Sequence, residues 1–87
     1  MTVLVYNNGV IIGDIFVKLS ELRSDRGLTQ SQLAHNCTVS INTISSIERG
    51  EFFPSLALIV KLCLVLDCKF SDLVQVVDHQ DKTFINL

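Results

Sequence analysis

Positive charge is scarce in this chain. Seven Lys and Arg stand against nine Asp and Glu, for a formal net charge of −2. That balance argues against a surface that is basic all over, so any nucleic-acid contact must rest on a local patch. No long hydrophobic run is present. The most apolar stretch, Leu56 to Leu66, is broken by Lys61 and is about half of the roughly 20 residues a membrane span needs, so no membrane partner is expected. The N-terminus has neither a basic flank nor a small-residue cleavage site, and does not read as a signal peptide. The three cysteines, Cys37, Cys63 and Cys68, are odd in number, form no Cys-x-x-Cys and have apolar neighbours. They point to a reduced cytoplasmic protein with buried thiols. His35 and His79 have no partner at metal-ligand spacing, so no metal is expected. No Ser-His-Asp order, paired catalytic acids or glycine-rich phosphate loop stands out. An enzyme is therefore not expected, and no cofactor or small-molecule ligand is implied. Repeats, low-complexity tracts and long linkers are missing too.

What is there is apolar. Of 87 residues, 48% are hydrophobic and 18% charged, which suits one small folded domain spanning residues 1–87. The apolar share exceeds what so small a core can hold. Some of it should reach the surface, where a second copy is the simplest partner.

Residues 2–12 read as a strand or short hairpin around Asn7-Asn8-Gly9, whose residues tolerate positive φ. Asp14 is a candidate N-cap for a first helix over 15–26, with Phe16, Leu19 and Leu22 on one face. Thr29 would cap a second helix over 30–36, with Leu33 and Ala34 inward. Ser40 would cap a third over 41–48, with Ile44 and Ile47 as its core contacts. Ser55 would cap a fourth over 56–66, and a fifth would run over 70–77. A polar break at 78–81 precedes a short strand to Leu87. The expected fold is all-α with five helices, plus short terminal strands at 2–6 and 83–87 that pair with each other.

Two short helices joined by a tight turn, the second showing small polar residues, meet the physical needs of a helix-turn-helix. Ala34 permits close approach, while Val39, Ile44 and Ile47 lock the second helix from behind. Outside remain Ile41, Asn42, Thr43, Ser45, Ser46 and Arg49, a surface narrow enough for a major groove. Residues 18–50 carry Lys18, Arg23, Arg26 and Arg49 against Glu21, Asp25 and Glu48, a net of +1.

The segments Gly27-Leu28-Thr29-Gln30-Ser31-Gln32-Leu33-Ala34, Val39 to Gly50 and Pro54-Ser55-Leu56 closely resemble the Cro/repressor-like (Xre) family of phage-repressor-type regulators over about residues 15–77. The resemblance implies five helices, a homodimer and double-stranded DNA as partner. It places Ile41, Asn42 and Ser46 toward bases and Gln30 and Arg49 toward phosphates; Thr43 and Ser45 on the same exposed surface join the base-reading candidates, and Thr29 at the same helix N-terminus joins the phosphate-contacting ones. Arg23 and Glu48 match a structural ion pair. This chain departs at three places: Thr38 stands where the turn usually has glycine, Glu51-Phe52-Phe53 replaces a usually basic loop, and Ile41 replaces a common amide.

Helix four is apolar nearly all round. Leu56, Ile59, Leu62, Cys63 and Leu66 suffice for an inward face, leaving Leu58, Leu64 and Val65 for the terminal strands or a dimer interface. One of Phe52 and Phe53 should be buried and the other exposed. The expected function is sequence-specific transcriptional regulation as a homodimer on an inverted-repeat operator, as a repressor or a phage- or mobile-element-like control protein. The alternative is a protein-interaction module on the same scaffold, such as an antitoxin or anti-repressor.

Overall fold

The computed structural model describes the backbone of residues 2–7, 10–78 and 84–85 and the side chains of residues 14–77. In chain order the elements are β1 (Thr2–Asn7), β2 (Val10–Val17), α1 (Leu19–Asp25), α2 (Gln30–Cys37), α3 (Ile41–Glu48), α4 (Leu56–Leu66), α5 (Phe70–Leu73), β3 (Val74–Asp78) and β4 (Phe84–Ile85). The five expected helices are present. His79, Asn8-Gly9, most of the 78–81 break and residues 83, 86 and 87 lie outside the described residues.

The helices start where short polar side chains can take up free N–H groups. Thr29 Oγ1 accepts from the Gln32 N–H at 3.0 Å, and Gln32 Oε1 accepts from the Thr29 N–H at 2.9 Å, closing a capping box. Ser40 and Ser55 cap α3 and α4 by accepting from the N–H groups of Thr43 and Leu58, each at 3.2 Å. The turn residue Thr38 does take the left-handed conformation, φ 57° and ψ 44°. A β-branched residue there costs about 1 kcal/mol or more. The core gathers Leu19 from α1, Leu33, Ala34 and Cys37 from α2, and Ile44 and Ile47 from α3. Leu58, Ile59, Leu62 and Leu66 of α4 complete it, together with Leu73, and Val17 and Val74 extend it into the sheet.

Two helix boundaries differ from expectation. The first helix begins at Leu19, not at residue 15, because residues 15–17 belong to β2, and Asp14 pairs in register with Leu4 and Val77 instead of capping a helix. The helix N-cap is Lys18, without a side-chain cap bond. The fifth helix is a single turn, Phe70–Leu73, and Val74-Gln75-Val76-Val77-Asp78 continues as β3. Three valines fit a pleated surface better than a helix. β2 pairs antiparallel with both β1 and β3, and β3 with β4, in the order β1-β2-β3-β4. The terminal strands therefore join one sheet but do not pair with each other; they lie at its opposite edges.

Candidate nucleic-acid interface

Helix α3 is held from behind by Ile44 and Ile47, both fully buried, and from the side by a polar network. Arg23 Nε and Nη2 donate to Glu48 Oε2 and Oε1 at 2.7 and 3.0 Å, and Arg23 Nη1 donates to the Leu28 carbonyl at 2.8 Å. Gln30 Nε2 also donates to Glu48 Oε1, at 3.0 Å, and Ser45 Oγ donates to Gln30 Oε1 at 2.9 Å. Three helices thus converge on one carboxylate whose side chain is only 7% exposed. Burial pushes the Glu48 carboxyl up, but the hydrogen bonds from Arg23 and Gln30 outweigh it and hold the group below the usual carboxylate range. The bond to Glu48 raises the Arg23 guanidinium in turn. Arg26 serves the body as well: its Nε donates to the Leu66 carbonyl at 2.8 Å, at the C-terminal end of α4, where a cation suits the helix dipole.

This network engages two of the residues expected to meet DNA. Gln30, expected on a phosphate, spends its amide on Glu48 and Ser45. Ser45, expected on a base, is half-buried and donates inward. Both are tied into the network around Glu48. Thr29 Oγ1 caps α2. At the leading end of α3, Ile41 and Asn42 are exposed and Thr43 and Ser46 half-buried. The Thr43 and Ser40 hydroxyls lie 3.0 Å apart.

Arg49 has a partner that the sequence reading missed. Its Nε and Nη2 donate to Glu51 Oε1 and Oε2, both at 3.1 Å, and Nη2 also donates to Ser46 Oγ at 3.3 Å. The chain turns between them at Gly50, φ +77°, a conformation that suits glycine. The signal was local: an acid two residues beyond an arginine, across a glycine. Asn42, Thr43, Ser46, Glu51 and Phe52 line one shallow cleft of about 350 Å³. Phe52 is 44% exposed, whereas Phe53 packs partly buried against the core, so the two aromatics divide as expected.

The outer surface of α4 differs from the expected interface. Leu58 is buried in the protomer's own core, and Val65 packs partly buried against it. Leu58 is closed to a partner, whereas Val65 keeps part of its surface in solvent. Leu64 is exposed, and so are Leu56 and Val60, at 76%, 71% and 50% respectively. They recur at i, i+4, i+8 and form one stripe opposite the core-facing side. Leu56, expected inward, lies on this stripe.

The thiols are free, with Cys37 buried and Cys63 and Cys68 half-buried. Burial, then the neighbouring Cys63, pushes the Cys68 thiol up to about 11, far from a reactive thiolate. Among the described residues no group of His, Cys, Asp and Glu is arranged to hold a metal ion, and no helix is long and apolar enough to cross a membrane.

The sequence profile of the helix-turn-helix family HTH_3 matches residues 19–73. Over 55 residues the chain is 36% identical to the uncharacterized HTH-type transcriptional regulator YgzD of Bacillus subtilis, covering 63% of this chain and 83% of the relative. Over 56 residues it is 39% identical to the uncharacterized HTH-type transcriptional regulator MJ0272 of Methanocaldococcus jannaschii, covering 64% and 85%. Among solved structures, the clp gene regulator ClgR of Corynebacterium glutamicum superposes with a TM-score of 0.60 at 33% identity. That match covers 62% of this chain and 57% of ClgR, so the chain spans little more than half of that protein. The restriction-modification controller protein C.AhdI of Aeromonas hydrophila gives 0.58 at 36% identity, covering 60% and 79%. The transcriptional regulator VanUg gives 0.63 over 86% of this chain and 100% of its own; at 22% identity it shares the fold.

Proposed function

The chain belongs to the helix-turn-helix family HTH_3 and is a transcriptional regulator with that family's DNA-binding fold, and from that premise we propose that it works as a homodimer on an inverted-repeat operator. The observation that carries this reading is the rigid mounting of α3. Its leading end offers Ile41, Asn42, Thr43 and Ser46 to a groove, while Glu48 anchors its far end to α1 and α2. Asn42 suits a bidentate bond to adenine and Ile41 a thymine methyl. Arg49 and the N-terminus of α2 lie toward phosphates. The regulation is by occupancy, repressing or controlling a promoter in the cytoplasm, without catalysis, cofactor or small-molecule ligand.

The exposed Leu56–Val60–Leu64 stripe supports the dimer. Each aliphatic side chain buried in such a contact contributes about 1.5–3 kcal/mol before the cost of association. A two-fold contact would set the recognition helices roughly 34 Å apart, one turn of DNA. Leu64→Lys should give a folded monomer with weak operator binding; sedimentation and circular dichroism read both. A folded Leu64→Lys dimer would reject this interface. For base reading, Asn42→Ala should cost about 1–3 kcal/mol on the selected operator and little on random duplex. Equal loss on both would remove Asn42 from the base-reading set.

Exposed Phe52 and the Glu51 carboxylate favour a second reading, a protein partner docked beside α3, as for an antitoxin or anti-repressor. Salt-dependent binding to duplex DNA separates the two, since counterion release belongs to the DNA reading alone.

A further inference from the structure

We propose that Glu51 is an intramolecular stand-in for DNA phosphate, which holds the Arg49 guanidinium until a real phosphate displaces it and so suppresses sequence-independent binding. The inference rests on the DNA-binding reading above and concerns how weakly random DNA is held.

Three observations lead there. First, both carboxylate oxygens of Glu51 receive Arg49, Nε on one and Nη2 on the other, at 3.1 Å each. This is the planar fork by which a guanidinium grips a phosphate. Second, the other two arginines of the body are committed: Arg23 to Glu48 and the Leu28 carbonyl, Arg26 to the carbonyls of Leu66 and Asp67. Arg49 is thus the arginine whose bonds lie at the surface beside α3, with side-chain exposures of 55% for Arg49 and 60% for Glu51. Third, Glu51 shares its cleft with Asn42, Thr43 and Ser46, which puts a negative charge where the backbone of a groove-bound duplex would pass.

A phosphate approaching Arg49 must replace Glu51 and then tolerate its charge. In water an exposed pair of this kind exchanges readily. On random DNA, where phosphate contacts supply nearly all the affinity, that exchange removes most of the gain. On the operator the same exchange applies, but base contacts from α3 are added, so the operator stays bound at protein concentrations that leave random DNA free.

The test uses the full chain and a fluorescently labelled random-sequence duplex, titrated by anisotropy over a series of potassium chloride concentrations. Glu51→Gln should bind about three- to tenfold tighter at low salt. Its slope of log affinity against log salt should steepen by about 1. In an Arg49→Gln background the same change should have a much smaller effect, because the residue it releases is gone. Wild type that binds in a salt-dependent way with Glu51→Gln unchanged would overturn the inference and leave the DNA reading standing. A gain of equal size with and without Arg49 would also overturn it, since Glu51 would then act as bulk charge. If neither wild type nor Glu51→Gln binds any duplex, both readings fall. Binding by Glu51→Gln alone would support both.

Discussion

Glu48 and Arg49 are neighbours in the chain, yet each belongs to a different arginine–glutamate pair facing a different way. The Arg23–Glu48 side chains are 16% and 7% exposed; those of Arg49–Glu51 are 55% and 60% exposed. The bonding is similar, two N–H donors on two carboxylate oxygens in each case. What differs is water. The inner pair lost its hydration on folding and can be given up only by leaving a charge stranded. The outer pair keeps water as an alternative partner and exchanges at little cost. One fold therefore uses the same chemistry once as a rivet and once as a replaceable contact, and the α3 C-terminus is where they meet.

The largest effect should come from breaking the rivet. Glu48→Ala leaves Arg23 Nε and Nη2 and the Gln30 amide without their acceptor and should destabilise the protein by about 3 kcal/mol. Arg23→Ala should act similarly, and the double mutant should recover part of the summed loss. Urea denaturation of the four proteins measures this. Strictly additive losses would mean that the two side chains act independently, and the contrast between the pairs would disappear.

Acid should sharpen the same contrast. The folded Glu48 carboxyl lies below its ordinary value. Its stabilising contribution is therefore fully present above the ordinary glutamate range and is lost as pH falls through the folded value. The stability gap between wild type and Glu48→Gln should be constant from about pH 7 to about pH 5 and narrow below about pH 4. A gap that stays constant to low pH would show that the carboxylate charge does not matter there.

The parts of this molecule that were legible in the sequence are those decided locally. Thr29, Ser40 and Ser55 cap helices because each is a hydroxyl three residues before an N–H that needs an acceptor. Ile44 and Ile47 face inward because their spacing matches the helix period. Residues decided by distant partners are less legible. Phe16 looks helical with Leu19 and Leu22, but β1 and β3 recruit residues 15–17 into the sheet. Helix α4 is apolar nearly all round, with Lys61 its one charge, so periodicity sets its phase poorly and Leu56 and Leu58 exchange roles. Gln30 and Ser45 read as DNA contacts because both are polar and near the groove-facing end. Their commitment to each other crosses 15 residues of sequence, which no local pattern reveals. In the sequence Glu51 reads only as part of a loop that lacks positive charge, whereas its geometry makes it a partner of Arg49.

The smallest expected effect lies at the outer pair, and it is informative because it should be absent. In the folded chain the bond to Arg49 lowers the Glu51 carboxyl, and the bond to Glu51 raises the Arg49 guanidinium. Taken alone, those directions suggest an interaction that stabilises the fold. Both groups sit in water, where salt and solvent screen the attraction and two long side chains must be ordered to form it. Nothing in the core rests on either residue: Gly50 leads the chain away from α3 at its own positive φ, and the buried contacts of Ile44 and Ile47 lie on the opposite side of the helix. Arg49→Ala and Glu51→Ala should therefore denature at the same urea concentration as wild type, within error, while Glu48→Ala shifts the midpoint clearly. If Glu51→Ala instead lowered the midpoint as much as Glu48→Ala does, the outer pair would be a second rivet, and a phosphate could not displace it without weakening the fold that presents α3.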